Sequence, residues 1–121
     1  MILGPSGAGK SALALQLMAL GCDLVADDQT LLEAREGELW AETPDAIRGR
    51  IEVRGMGIFA AETLRRARVV LAVDLAVTET ERLPPERTLN LCGLSIPLVH
   101  KIEGGHFPAA ILHYIRSARL A

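Results

Sequence analysis

The chain has 121 residues, half of them apolar and only 3% aromatic, which is enough for one compact domain with an aliphatic core and too few for two. That composition excludes a disordered chain, and a formal net charge of −2 lacks the basic excess that nucleic acid or an anionic membrane surface requires. No apolar run approaches the ~20 residues that cross a bilayer. Cys22 and Cys92 have neither metal-ligand spacing nor a disulfide framework, so the expected setting is the cytoplasm with both thiols reduced.

The first element is a remnant: residues 1–3 are all that stand ahead of "GPSGAGKS", residues 4–11. A strand normally seats such a loop. The domain over residues 1–121 is therefore expected to be N-terminally incomplete, or to take its support from another segment. Residues 10–20 are strong helix formers closed by Gly21, a natural C-cap. "DLVADD", residues 23–28, is a short apolar run ending in carboxylates and predicts a buried strand with a polar tip. "LLEAREGELWAE" predicts a hairpin turning at Glu36-Gly37. "IEVRG", residues 51–55, reads as a further strand, and "VVLAVDLAV", residues 69–77, as the central one. "TLNLCGLSIPLV" predicts a second hairpin turning at Cys92-Gly93, and residues 107–120 a terminal amphipathic helix with Pro108 in its first turn. Strands, hairpins and helices together predict an α/β fold with a mixed sheet and flanking helices.

"GPSGAGKS" matches Gly, any four, Gly, Lys, Ser, and a helix follows at once. The glycines let backbone N–H groups turn inward onto phosphate oxygens, and the helix dipole points at the same anion. Gly4, Pro5, Ser6, Gly7, Ala8, Gly9, Lys10 and Ser11 are thus the expected ATP-binding residues. Lys10 would reach the terminal phosphates and Ser11 would ligate Mg²⁺. Asp27 and Asp28 could hold the metal or its water and accept a proton from an attacking hydroxyl; a solvated turn is the plainer alternative. Glu52 and Arg54, two apart on a strand, share a face. Glu52 could join Ser11 on the metal while Arg54 meets a phosphate; an edge strand with a glycine bulge is the plainer alternative.

In this order, "GPSGAGKS", "LVADD" and "IEVRGMGIF" resemble the C-terminal catalytic domain of the HPr kinase/phosphorylase family, over residues 2–99. The resemblance implies a P-loop domain of the phosphoenolpyruvate-carboxykinase-like type. It implies ATP-dependent phosphorylation of a serine of the phosphocarrier HPr in phosphotransferase-system regulation, with reverse phosphorolysis as a further capability. By the same resemblance Asp28 is the proton acceptor, Asp27 assists it, and Ser11 and Glu52 bind Mg²⁺. Lys10, Arg54 and Arg82 meet the phosphates. Arg82 stands in "ERLP", where the family has a "DRLG"-like loop. Asp74 looks like a metal-binding aspartate but is expected to be structural, because the family's Asp pair takes that role.

The family's late "PVRPGRN" loop is matched only loosely by "PLVHKIEGGHF", with Lys101 as its basic residue, and the family's histidine strand ahead of the loop falls before residue 1. His100, His106 and His113 are expected to be structural or solvated. Partners are expected to be HPr and further copies of the chain, a hexamer by resemblance, with no nucleic acid and no membrane. The alternative is a nucleotide-binding regulatory module with lost or weak kinase activity. A small-molecule kinase of ordinary topology is disfavoured by "RGMGI".

Overall fold

A computed structural model describes residues 1–117. The first helix, α1 (Lys10–Ala19), lies where the helix formers predict. The "LLEAREGELWAE" stretch forms β2 (Leu31–Arg35) and β3 (Glu38–Glu42) in antiparallel register. Its turn residues Glu36 and Gly37 both have positive φ, 52° and 78°, as a tight hairpin with right-handed twist demands. "TLNLCGLSIPLV" behaves the same way, with Cys92 and Gly93 at φ 52° and 80° between a strand at Arg87–Leu91 and one at Leu94–Lys101.

Ile2–Leu3 is β1, and it lies parallel to a strand at Ala72–Thr78 with Leu3 opposite Asp74. The short strand is therefore seated from outside, and the Val73 N–H also donates to the Met1 carbonyl at 2.8 Å. In chain order the remaining strands are β4 (Arg50–Val53), β5 (Gly57–Ala60), β6 (Arg66–Arg68), β7 (Ala72–Thr78), β8 (Arg87–Leu91) and β9 (Leu94–Lys101). A four-stranded mixed sheet has the order β1-β7-β9-β8, with β1, β7 and β9 parallel and β8 antiparallel. A three-stranded sheet, β2-β3-β6, and the β4–β5 hairpin complete the strands.

Side-chain alternation along the mixed sheet builds a layered core. Leu71 and Val73 face Leu13 of α1 and Phe107 and Ile111 of α2 (Phe107–Arg116), while Ala72 and Ile96 face Leu39 and Ala41 of the second sheet. The start of β7 is thus covered on both faces, which is why residues 71–73 are all apolar, while its far end is exposed.

Three expectations are corrected. Residues 23–28 do not form a strand: only Leu24 pairs, in an isolated bridge with Thr63, and Gln29 N–H closes onto the Asp27 carbonyl at 2.7 Å. The central strand begins at Ala72, because the Val69 N–H still donates to Leu39 of the second sheet at 2.8 Å. The terminal helix ends at Arg116, since Ser117 is extended at φ −135° and ψ 141°; residues 118–120 of the expected helix lie outside the described residues. Strand β6, "RAR", carries no apolar signal, yet it pairs with β3, where Arg66 stacks 4.9 Å above the Trp40 ring and Arg68 bridges Glu38 at 3.0 Å.

Candidate active site

Strand β1 runs directly into the glycine loop, and the loop runs into α1. Ala8 N–H donates to the Pro5 carbonyl at 3.0 Å, closing a turn, and Gly9 caps the helix at φ 97° with no side-chain cap. The loop lies hard against β7: a Cβ on Gly4 would stand 3.0 Å from Ala8 Cβ and 3.4 Å from Leu75 Cβ. Gly4 also holds φ +152°, so the position needs glycine for both reasons. Lys10 folds back over the loop, with Nζ 2.6 Å from the Gly4 carbonyl and 3.1 Å from that of Pro5. An uncapped helix N-terminus with an ammonium above it is suited to an anion.

Asp27 ties three distant segments together. Its Oδ1 accepts from the Ser11 hydroxyl at 2.9 Å and its Oδ2 accepts from the Glu52 backbone N–H at 2.9 Å. The helix, the Asp pair and β4 thereby meet on a single carboxylate. Asp28 stands differently. It is exposed, at φ 65°, in the middle of the γ-turn closed by the Gln29 N–H. Such a backbone costs about 1–3 kcal/mol and is found where surrounding structure enforces it. Because the strand expected over residues 23–28 is replaced by this turn, the two carboxylates are not bound to strict alternation, and it is Asp27 that engages Ser11 and Glu52.

β4 continues into a turn in which Met56 N–H donates to the Val53 carbonyl at 3.0 Å and Gly55 takes φ 82°. β5 then returns, with Ile58 opposite Glu52. The expected strand is therefore one arm of a hairpin, and Gly55 serves its turn. Arg54 reaches over the glycine loop, its Nη1 4.0 Å from where a Cβ on Gly7 would stand. Asp74 is spent on structure: its Oδ1 accepts from Ala76 N–H at 2.9 Å, within the irregularity between Asp74 and Thr78.

Ser11, Asp27 and Glu52 are thus brought together, with the Arg54 and Lys10 side chains reaching to the neighbouring glycine loop. Arg82 is not joined to them by a hydrogen bond or ion pair among the described residues. It lies exposed in residues 79–86, which leave the carboxyl end of β7 on the edge where β1 enters the glycine loop. Sequence reasoning gives no cause to single out Glu79 and Arg87 of that loop, whose spacing has no local meaning. His100 lies 3.9 Å from Glu79, on a structural contact.

The molecule is an α/β domain whose glycine-rich strand–loop–helix, with the Asp27 carboxylate bound to Ser11 and Glu52, sits at one edge of a mixed sheet. Residues 1–100 match the family model described as the HPr Serine kinase C-terminal domain, and the chain belongs to that family. The HPr kinase/phosphorylase of Bordetella pertussis is 37% identical over 109 residues, covering 79% of this chain and 35% of the relative. That of Brevibacillus brevis is 32% identical over 112 residues, covering 82% of this chain and 36% of the relative. The chain therefore spans about a third of the length of these curated relatives. The HPr(Ser) kinase/phosphatase structure from Coxiella burnetii superposes with a TM-score of 0.78 at 25% identity, covering 95% of this chain and 83% of that one. Among the described residues, no helix is long and apolar enough to cross a membrane.

Proposed function

We propose that this chain carries ATP-dependent phosphorylation of a serine of HPr, on a P-loop architecture of the phosphoenolpyruvate-carboxykinase-like type. The observation that carries the reading is the Asp27 carboxylate holding both the Ser11 hydroxyl and the Glu52 backbone beside the glycine loop. Family membership and the relatives' names support it.

The donor set fits Mg²⁺. Hydroxyl and carboxylate oxygens are hard ligands, and Asp27 draws the Ser11 hydroxyl and the backbone of Glu52 onto one carboxylate. Among the described residues no cluster of His, Cys, Asp or Glu could hold a metal unaided. Ser11 and Glu52 would hold Mg²⁺, and it would supply neutralising charge to the phosphates.

The chain's own residues do the rest. Gly4 to Gly9 offer backbone N–H groups to phosphate oxygens. Lys10 exchanges the Gly4 and Pro5 carbonyls for the terminal phosphates. Asp27 orients the Ser11 hydroxyl. Asp28, exposed and not engaged on Ser11, accepts the proton of the attacking serine. Arg54 and Arg82 stabilise charge on the transferring phosphoryl group.

The test is single-turnover transfer from ATP to HPr, beside calorimetric ATP affinity. Lys10→Ala should abolish transfer and weaken binding. Asp28→Asn should keep near-parental affinity and lose about 10²–10⁴-fold in rate, the usual worth of a general base. Parental rates in either variant would refute its assigned role, and a parent that binds ATP without transferring phosphate would favour the regulatory module.

A further inference from the structure

Residues 79–86 join β7 to β8 and carry Arg82, and Arg87 opens β8. The ends of this loop are fastened to one another by side chains. Arg87 grips Glu79 with two parallel hydrogen bonds, Nε to Oε1 at 3.2 Å and Nη2 to Oε2 at 3.0 Å. The same carboxylate accepts from the Thr80 N–H at 3.1 Å and the Glu81 N–H at 3.4 Å. The Glu79 backbone N–H donates to the Lys101 carbonyl at 2.8 Å, which anchors the clamp to β9.

Burial separates this pair from the other Arg–Glu pairs among the described residues. The Glu79 and Arg87 side chains are 10% and 30% exposed. Those of Glu33–Arg35 and Glu38–Arg68 are 44–62% exposed, where ion pairs are worth little. Two parallel charge-assisted bonds also fix geometry as a single contact does not. Between the clamped ends, Pro84 and Pro85 restrict the backbone further. The loop leaves the carboxyl end of a parallel strand beside the glycine loop, where ligands bind in open α/β sheets.

We propose that Glu79 and Arg87 are positioning residues, a clamp that presents Arg82 to the phosphoryl group being transferred. The inference rests on the function proposed above and on Arg82 acting there. An arginine on an exposed loop is useful in catalysis only if its backbone is held, because a displacement of about 1 Å can cost about 10²-fold in rate. The Arg87 hydrogen bond also holds the Glu79 carboxyl below the usual glutamate range, so the clamp is fully ionised at neutral pH.

The experiment compares the parent chain with Arg87→Ala, Arg87→Lys, Glu79→Gln, Arg82→Ala and the Arg82→Ala/Arg87→Ala double variant. Single-turnover transfer to HPr, calorimetric ATP affinity, thermal unfolding and amide exchange at Thr80 and Glu81 are measured on each. Arg87→Ala should lower the transfer rate about 10–100-fold while ATP affinity stays within about 2-fold, with faster exchange at both amides. Arg87→Lys keeps the charge without the paired geometry and should fall between; it also serves if Arg87→Ala does not fold. In the double variant the losses should not multiply, because a clamp acting through Arg82 has nothing left to position. Multiplying losses, an unchanged rate in Arg87→Ala, or an Arg82→Ala variant as fast as the parent would each overturn the inference. A parent unable to transfer phosphate to HPr would overturn the proposed function and this inference together; an active parent with multiplying losses overturns this inference alone.

Discussion

Replacing Asp27 separates the fold-holding part of its carboxylate from its chemical part. Asp27→Ala removes the charged acceptor of the Ser11 hydroxyl and the Glu52 N–H. A hydrogen bond to a charged group is worth about 1.5–3 kcal/mol when sheltered, but the Glu52 contact is exposed and the Ser11 contact only partly buried. Discounting both for solvent leaves about 2 kcal/mol. With an unfolding entropy of about 2.1 cal/mol/K per residue over the whole chain, that lowers Tm by roughly 8 °C. Asp27→Asn should cost less than half as much. Its amide oxygen can still accept from the Glu52 N–H, and its NH₂ can donate to Ser11, whose hydroxyl then turns round to accept. With one lone pair taken by the amide and the neighbouring carboxylate charge lost, the reversed hydroxyl is a poorer ligand, so the Mg²⁺ needed for half-maximal transfer should rise severalfold despite the intact fold. The assay is thermal unfolding by circular dichroism beside a Mg²⁺ titration of transfer. An unchanged Tm in Asp27→Ala, or an unchanged Mg²⁺ midpoint in Asp27→Asn, would refute the linkage.

Glu52→Gln should raise the Mg²⁺ requirement more than it weakens metal-free nucleotide binding, since the hard ion prefers a charged oxygen; equal midpoints in a titration would remove Glu52 from the ligand set. Gly4→Ala combines φ +152° with a 3.0 Å contact to Ala8 Cβ, so it should cost about 1–3 kcal/mol and distort the loop, read as a lower Tm and weaker ATP binding by calorimetry. The Glu79 carboxyl is held low, chiefly by the Arg87 hydrogen bond. Its contribution to stability is therefore complete above the ordinary glutamate value of 4.5 and is lost as pH falls through the depressed folded value. Arg87→Ala should accordingly flatten the acid limb of the parent's stability profile in urea melts, and superimposable acid limbs would contradict this.

What the sequence determined by itself was local. Glu36-Gly37 and Cys92-Gly93 specify their hairpins because the positive φ values at those turns come from turn chemistry within a few residues. The helix formers after Lys10 need no distant partner to read as a helix, and the glycine spacing of residues 4–9 marks an anion cradle for the same reason. Tertiary structure decided what depends on neighbours far along the chain. The apolar run at residues 23–28 fails as a strand because only Leu24 finds a partner, at Thr63, and no local pattern encodes that shortage. The two residues of β1 are a strand only because β7, some seventy positions later, is there to pair with them. Ser11, Asp27 and Glu52 are suggestive residue types on three segments, but their meeting on one carboxylate required α1, the γ-turn and β4 to pack together. The Glu79–Arg87 clamp likewise exists because β7 and β8 flank β9 and bring their adjoining ends close, a consequence of sheet order that residue type and spacing do not carry.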